Sequence, residues 1–187
     1  MMRKGGFSLF ELLFTFVILG ILASIAVPGF IRWLPDYRLK NAARDLSSNM
    51  HLARIAALKN NANWAIVFDT GVTPGRYFVC SDNGANNTWD GPAGMGGDDV
   101  AERTVDLRNY KSGVAYGHGN AANDIPGDTF PGDNISYTSN VAVFNPRGTC
   151  KGGYVYLDNQ KKTTTYGVGT RSSGVIRLRK WTGAAWE

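Results

Sequence analysis

The amino-acid sequence predicts an α+β chain in which one long amino-terminal helix, membrane-spanning over its first half and amphipathic over its second, packs against an antiparallel β-sheet domain. Three observations predict it. Residues 12–27 form an uncharged apolar run, and apolar residues then recur at helical spacing from Leu39 to Ala57. Beyond Asn60-Asn61 the texture changes to short runs rich in Val, Ile, Phe and Tyr, separated by Gly, Asn, Asp and Pro.

The apolar run measures 21 residues from Phe7 to Val27, and about 20 are needed to cross the hydrocarbon core as a helix. Arg3 and Lys4 precede it, which places the amino end in the cytoplasm and the rest of the chain outside. Three readings compete: a secretory signal removed at the small residues Ser24-Ile25-Ala26, an uncut transmembrane anchor, or an anchor cut on its cytoplasmic side. Glu11 argues against the first, since a signal's apolar core does not usually begin with an acid, and an ionised carboxylate in hydrocarbon is costly unless something pairs with it. The same cost poses the question of its partner.

Pro28-Gly29 weakens the helix where the chain leaves the bilayer, so a kink is expected there. The second half, residues 29–61, carries Leu39, Ala42, Ala43, Leu46, Met50, Ala53 and Ala57 on one stripe. Arg38, Lys40, Arg44, Asp45 and Lys59 fall largely between them. That stripe packs against the chain's own domain. Strands are expected at 64–69, 76–80, 103–108, 114–116, 135–138, 141–145, 154–158, 164–168 and 175–181, with the sheet laid over the helix stripe. Residues 81–99 and 117–134 read as long loops. Their carboxylates and amides are of a kind that ligates calcium, but neither has the D-x-[DN]-x-[DN]-G register, so no metal is assigned.

With 187 residues, 43% of them hydrophobic, the chain has room for one folded domain plus an extension, and wholesale disorder is excluded. The formal charge of +5 is unevenly spread: residues 81–133 hold nine acids against three bases, and residues 146–187 two acids against eight bases. The sequence predicts no enzyme and no cofactor. Its only histidines are His51 and His118, and nucleophile-elbow, P-loop and HExxH patterns are absent. Cys80 and Cys150 are too far apart for a CxxC motif; outside the cytoplasm a disulfide between them is the leading reading. In an extended 175–181 strand, Val175, Arg177, Arg179 and Trp181 share an exposed face, while Ile176 and Leu178 point to a buried one. With Arg171 and Lys180 nearby, these groups form a candidate DNA site, holding phosphates and stacking on bases. A solvated basic face, or one meeting the acidic loops of a neighbouring copy, accounts for the same residues.

Arg3-Lys4-Gly5-Gly6 followed by Phe7-Ser8-Leu9-Phe10-Glu11-Leu12-Leu13 resembles the class III leader of type IV pilins and type II secretion pseudopilins. The passage from Asp45-Leu46 through Ala53-Arg54-Ile55-Ala56-Ala57 to Trp64-Ala65-Ile66-Val67-Phe68 is similar to that of GspH/FimT-type minor pilins. So are residues 143–149, 153–157 and 174–177 to that group's closing strands. The resemblance implies a pilin-like fold divided into leader (1–6), transmembrane assembly helix (7–28), amphipathic helix (29–61) and periplasmic β domain (62–187). It implies cleavage by a prepilin peptidase between Gly6 and Phe7, methylation of the new amine, and passage from the inner membrane into a periplasmic or cell-surface filament. The implied partners are the lipid bilayer before assembly, an inner-membrane assembly platform and other pilin or pseudopilin subunits. Glu11 would then neutralise the Phe7 amine of a neighbour. Some minor pilins of this group bind DNA through Gly-Arg-x-Arg near the end; here Gly174-Val175-Ile176-Arg177 keeps the glycine and second arginine but has valine at the first.

Overall fold

Helix α1 (Leu9–Asn60) begins where Ser8 and Glu11 satisfy each other's backbone: Ser8 Oγ accepts from the Glu11 N–H at 3.2 Å and Glu11 Oε2 accepts from the Ser8 N–H at 3.4 Å. This is a reciprocal cap for amide donors that the first helical turn leaves unpaired. The structure, a computed structural model, describes residues 8–125 and 127–187. The helix continues through Pro28-Gly29 and Pro35 to Asn60, although neither proline has an N–H to donate. The chain divides into two compact units, the first ending at Leu34 and the second Pro35–Glu187. Pro35 is the first buried residue of the helix.

Within the second unit the predicted stripe is the buried face of α1: Leu39, Ala42, Ala43, Leu46, Met50, Ala53 and Ala57 are all 1% exposed or less. Among the described residues, eight strands follow as two antiparallel four-stranded sheets. The first contains β1 (Trp64–Asp69), β2 (Arg76–Asp82), β3 (Val100–Asp106) and β5 (Val141–Phe144) in the order β3-β2-β1-β5. The second contains β4 (Ala115–Tyr116), β6 (Gly153–Asp158), β7 (Tyr166–Thr170) and β8 (Ile176–Lys180) in the order β4-β6-β7-β8. Alternation sorts the faces. Ile66, Phe68, Tyr77, Val79, Ala142 and Phe144 of the first sheet join Val155, Leu157, Tyr166 and Val168 of the second and the helix stripe in one core. Ala65, Val67, Phe78, Cys80 and Val141 form a separate cluster on the first sheet's outer face.

Polar ties reinforce this packing along the helix. Asn49 is buried, donating to the Tyr77 hydroxyl at 2.9 Å and accepting from Arg103 at 3.2 Å. Arg38 donates to Ser112 Oγ, Arg54 to the Gly148 carbonyl, Asn159 to Asp36 and the Tyr110 hydroxyl to Asp45. Desolvation is the main cause that lifts the Tyr77 hydroxyl to a pKa of about 12, so it stays neutral and keeps its hydrogen for bonding.

Three strand expectations shift. Residues 135–138 make only one bridge, Ile135 to Val155, and then enter a turn at Thr138–Asn140 in which Ser139 has φ 56°. Strand β3 starts earlier than expected and stops at Asp106, whose carboxylate accepts from the Arg108 N–H and caps a 3-10 turn, Leu107–Tyr110. Strand β7 is displaced two residues towards the carboxyl end of 164–168.

Candidate assembly helix and cationic cleft

Between residues 9 and 31, Glu11 is the only charged side chain. The apolar side chains around it, from Leu9 and Phe10 to Phe30 and Ile31, are exposed, and the best 18-residue window has a mean hydropathy of 2.4 with none of it buried. The helix is thus long and apolar enough to cross a membrane. Residues that are apolar on all sides need either lipid or other helices around them. Glu11 combines two features: one carboxylate oxygen caps the helix start weakly, and the side chain is otherwise exposed among hydrocarbon groups. The capping role was legible as Ser8-Leu9-Phe10-Glu11, a serine with a glutamate three residues on. The candidate cleavage residues Gly6 and Phe7 lie outside the described residues.

At the far end of the chain, cross-strand register builds a cationic cleft. Tyr154 stands opposite Gly169, which stands opposite Arg177; one step along, Tyr156, Gly167 and Arg179 repeat the row. Directly opposed residues share a face, so two aromatic rings and two guanidinium groups lie on the outer face of the second sheet. Glycine is needed between them: a Cβ at Gly169 would overlap the Tyr154 ring and the Gly153 carbonyl oxygen. Arg171, Arg177 and Arg179 line one open cleft of about 500 Å³ with Tyr154, Ser136 and Asp124. Arg179 is held by donating to the Trp186 carbonyl at 2.9 Å. Among the described residues, Arg171 and Arg177 form no ion pair. Three guanidinium groups against one carboxylate suit an anion, and the adjacent tyrosine suits a planar group.

The strand faces differ most from expectation at two residues, with Ile176, Arg177 and Arg179 half-buried. Trp181 is buried, packed at 5.4 Å between ring centroids against Trp186, while Leu178 is 37% exposed. β8 is an edge strand, so its inner-face residues reach only the rim of the core. Lys180 is opposite Tyr166, on the face away from the cleft, so the structure gathers three of the four candidate cations and not the fourth. Tyr154 went unnoticed in the sequence because its place beside Arg177 depends on the β6-β7-β8 order.

The two cysteines are free and buried. Cys80 pairs across β1 with Ala65, Ala65 with Val143, and the neighbouring Phe144 bridges to Cys150. Three strand spacings thus separate them, about 14 Å, whereas bridged cysteines have Cα atoms about 4.4–6.8 Å apart. The expected disulfide is corrected to two packed thiols, Cys80 in the outer cluster and Cys150 in the main core. Burial, followed by the charges of Asp99 and Glu102, pushes the Cys80 thiol up to about 12, which suppresses its nucleophilic form. His51 is exposed on α1, and His118 stacks on Phe130 with its Nδ1 against Asn134.

A family model described as the prokaryotic N-terminal methylation motif matches residues 1–27, and one described as type II transport protein GspH matches residues 42–174. No curated protein matches the chain. Among solved structures, that of the type IV minor pilin FimU of Pseudomonas aeruginosa strain PAO1 is similar, with a TM-score of 0.51 and 12% identity, covering 81% of this chain and 94% of that one. That likeness is one of fold: a long apolar amino-terminal helix with antiparallel sheets. The matched proteins are pilin-type subunits and not enzymes.

Proposed function

Since the chain belongs to the type II transport protein GspH family, we propose that it is a minor pilin-like subunit of a type IV pilus that helps initiate or decorate filament assembly. The precursor sits in the inner membrane through its apolar helix, with the β domain in the periplasm. A prepilin peptidase cuts between Gly6 and Phe7, and the new amine on Phe7 is methylated. The assembly platform then brings apolar helices side by side. Glu11 of one subunit neutralises the amine of the next, so that two charges poorly matched to lipid become one pair and the helices settle in register. A head-to-tail contact of this kind propagates a helical polymer and not a closed ring. The observation that carries this reading is the single carboxylate near the start of residues 9–31, a helical stretch that is otherwise uncharged and exposed. Amino-terminal sequencing of the exported form is expected to begin at N-methylated Phe7; a chain still starting at Met1, or starting beyond the apolar run, refutes the proposal.

The family description favours a second reading, a minor pseudopilin of type II secretion. Deletion separates the two: a pilus subunit costs surface filaments, whereas a pseudopilin leaves normally exported proteins in the periplasm.

The cationic cleft supports a further reading, a subunit that also holds DNA during uptake. Guanidinium contacts to phosphates release counterions, so each one lost lowers the slope of log affinity against log salt by about 0.7 on single strands and 0.9 on duplex. Arg177→Ala and Arg179→Ala in the detergent-solubilised chain are therefore expected to weaken retardation in a mobility-shift assay and flatten its salt dependence. Lys180→Ala, which alters the opposite face, should do so less. Absence of salt-sensitive retardation by the wild-type chain removes DNA from the function.

A further inference from the structure

The loop between β2 and β3 carries Asp90, Asp98 and Asp99, and the fold places one carboxylate oxygen of each within 4.8 Å of the others. Each is anchored by the loop. Asp98 Oδ2 accepts from the Ala85 and Asn86 N–H groups at 2.7 and 3.2 Å, and Asp90 Oδ2 from Asn86 Nδ2 at 2.9 Å. Asp99 Oδ2 accepts from the Gly91 N–H at 2.8 Å. The decisive group is the other oxygen of Asp99. That residue is only 5% exposed, yet its Oδ1 is buried with no hydrogen-bond partner among the described residues, and none of the three aspartates makes an ion pair there.

A buried acceptor without a donor is costly, and two further carboxylates beside it increase the cost. A cation resolves both. Calcium binds oxygen at about 2.4 Å, so two oxygens on one ion are at most about 4.8 Å apart, which the trio satisfies. The donors are all carboxylate oxygens, with no imidazole or thiolate among them, which favours a hard ion over zinc or copper. Irregular loop ligands, whose remaining positions fall to water or backbone carbonyls, suit calcium better than magnesium with its strict octahedron. We propose that Asp90, Asp98 and Asp99 form a calcium site that closes the β2–β3 loop over the outer face of the first sheet. The loop's Trp89 and Met95 pack on the cluster of Ala65, Val67, Phe78, Cys80 and Val141, so the ion holds the cover of that cluster in place.

The test is thermal unfolding of the full chain in detergent, in EDTA and in about 10 mM calcium chloride. An ion at about a hundred times its Kd is expected to raise Tm by about 5–10 °C. Magnesium at the same concentration should give less than half of that. Asp90→Asn and Asp98→Asn, both at exposed positions, are expected to lose the calcium increment while folding normally in EDTA. Asp99→Asn should lose it too, yet unfold in EDTA at or above the wild-type temperature, because removing a charge that has no counter-ion relieves repulsion. A wild-type Tm within about 1 °C in calcium and EDTA, an equal response to magnesium, or an increment surviving in all three variants overturns the site.

Discussion

Glu11→Ala is expected to be exported and cut after Gly6 as efficiently as the wild-type chain, yet to enter filaments at least about a hundredfold less well. Removing one member of a desolvated ion pair leaves the other charge uncompensated, at a cost of about 3–5 kcal/mol, and every 1.4 kcal/mol is a factor of ten. The helix cap supplies a competing explanation, since Glu11 also accepts from the Ser8 amide. A cap contributes about 0.5–2 kcal/mol, and this one is long and exposed. Ser8→Ala separates the two. It removes the hydroxyl that accepts from the Glu11 N–H and leaves the carboxylate in place, so incorporation should remain within about threefold of wild type. Immunoblotting of sheared filaments against membrane fractions reads both variants. Equal loss in the two would assign Glu11 to helix capping, and wild-type incorporation by Glu11→Ala would refute the pairing.

Gly174→Ala is the second large effect. Gly174 is buried at φ 77° in the turn before β8, donating to the Arg171 carbonyl at 2.8 Å, and a Cβ there would overlap the Gly148 carbonyl oxygen and crowd Thr149 Cα. Left-handed backbone costs a residue with a Cβ about 1–2 kcal/mol. The obstruction is main chain, which cannot rotate aside, so the total should exceed about 3 kcal/mol. Circular dichroism melts are expected to show a fall in Tm of about 6–12 °C. A Tm within about 2 °C of wild type would show that the 148–149 segment yields. The glycine shared with the Gly-Arg-x-Arg pattern thus has a packing reason independent of any ligand. Arg177 follows from it, since the turn sets where β8 pairs with β7.

What the sequence disclosed depended on how local the cause was. Strand β1 and the helix stripe follow from alternation and 3.6-residue spacing alone, and both stand where predicted. Residues 135–138 have strand composition, but the turn at Ser139 ends their pairing after one bridge. The disulfide reading failed because spacing along the chain carries no information about the number of strands between two positions. Arg177 and Arg179 share a face by simple alternation. Trp181 keeps the Arg179 face but is buried there, because the chain doubles back after it and Trp186 covers the indole. The acidic trio was invisible as a trio: only the closure of the β2–β3 loop brings Asp90 to Asp98 and Asp99.

The polar ties between the helix and the β domain have a mechanical consequence. Asp36, Arg38, Asp45, Asn49 and Arg54 grip four different loops or strands at intervals along α1. Tension applied along the helix axis would load these bonds in parallel, as in shear, and not peel them one after another. A subunit built this way resists extraction of its helix until many fastenings yield together, which suits a component of a fibre under traction.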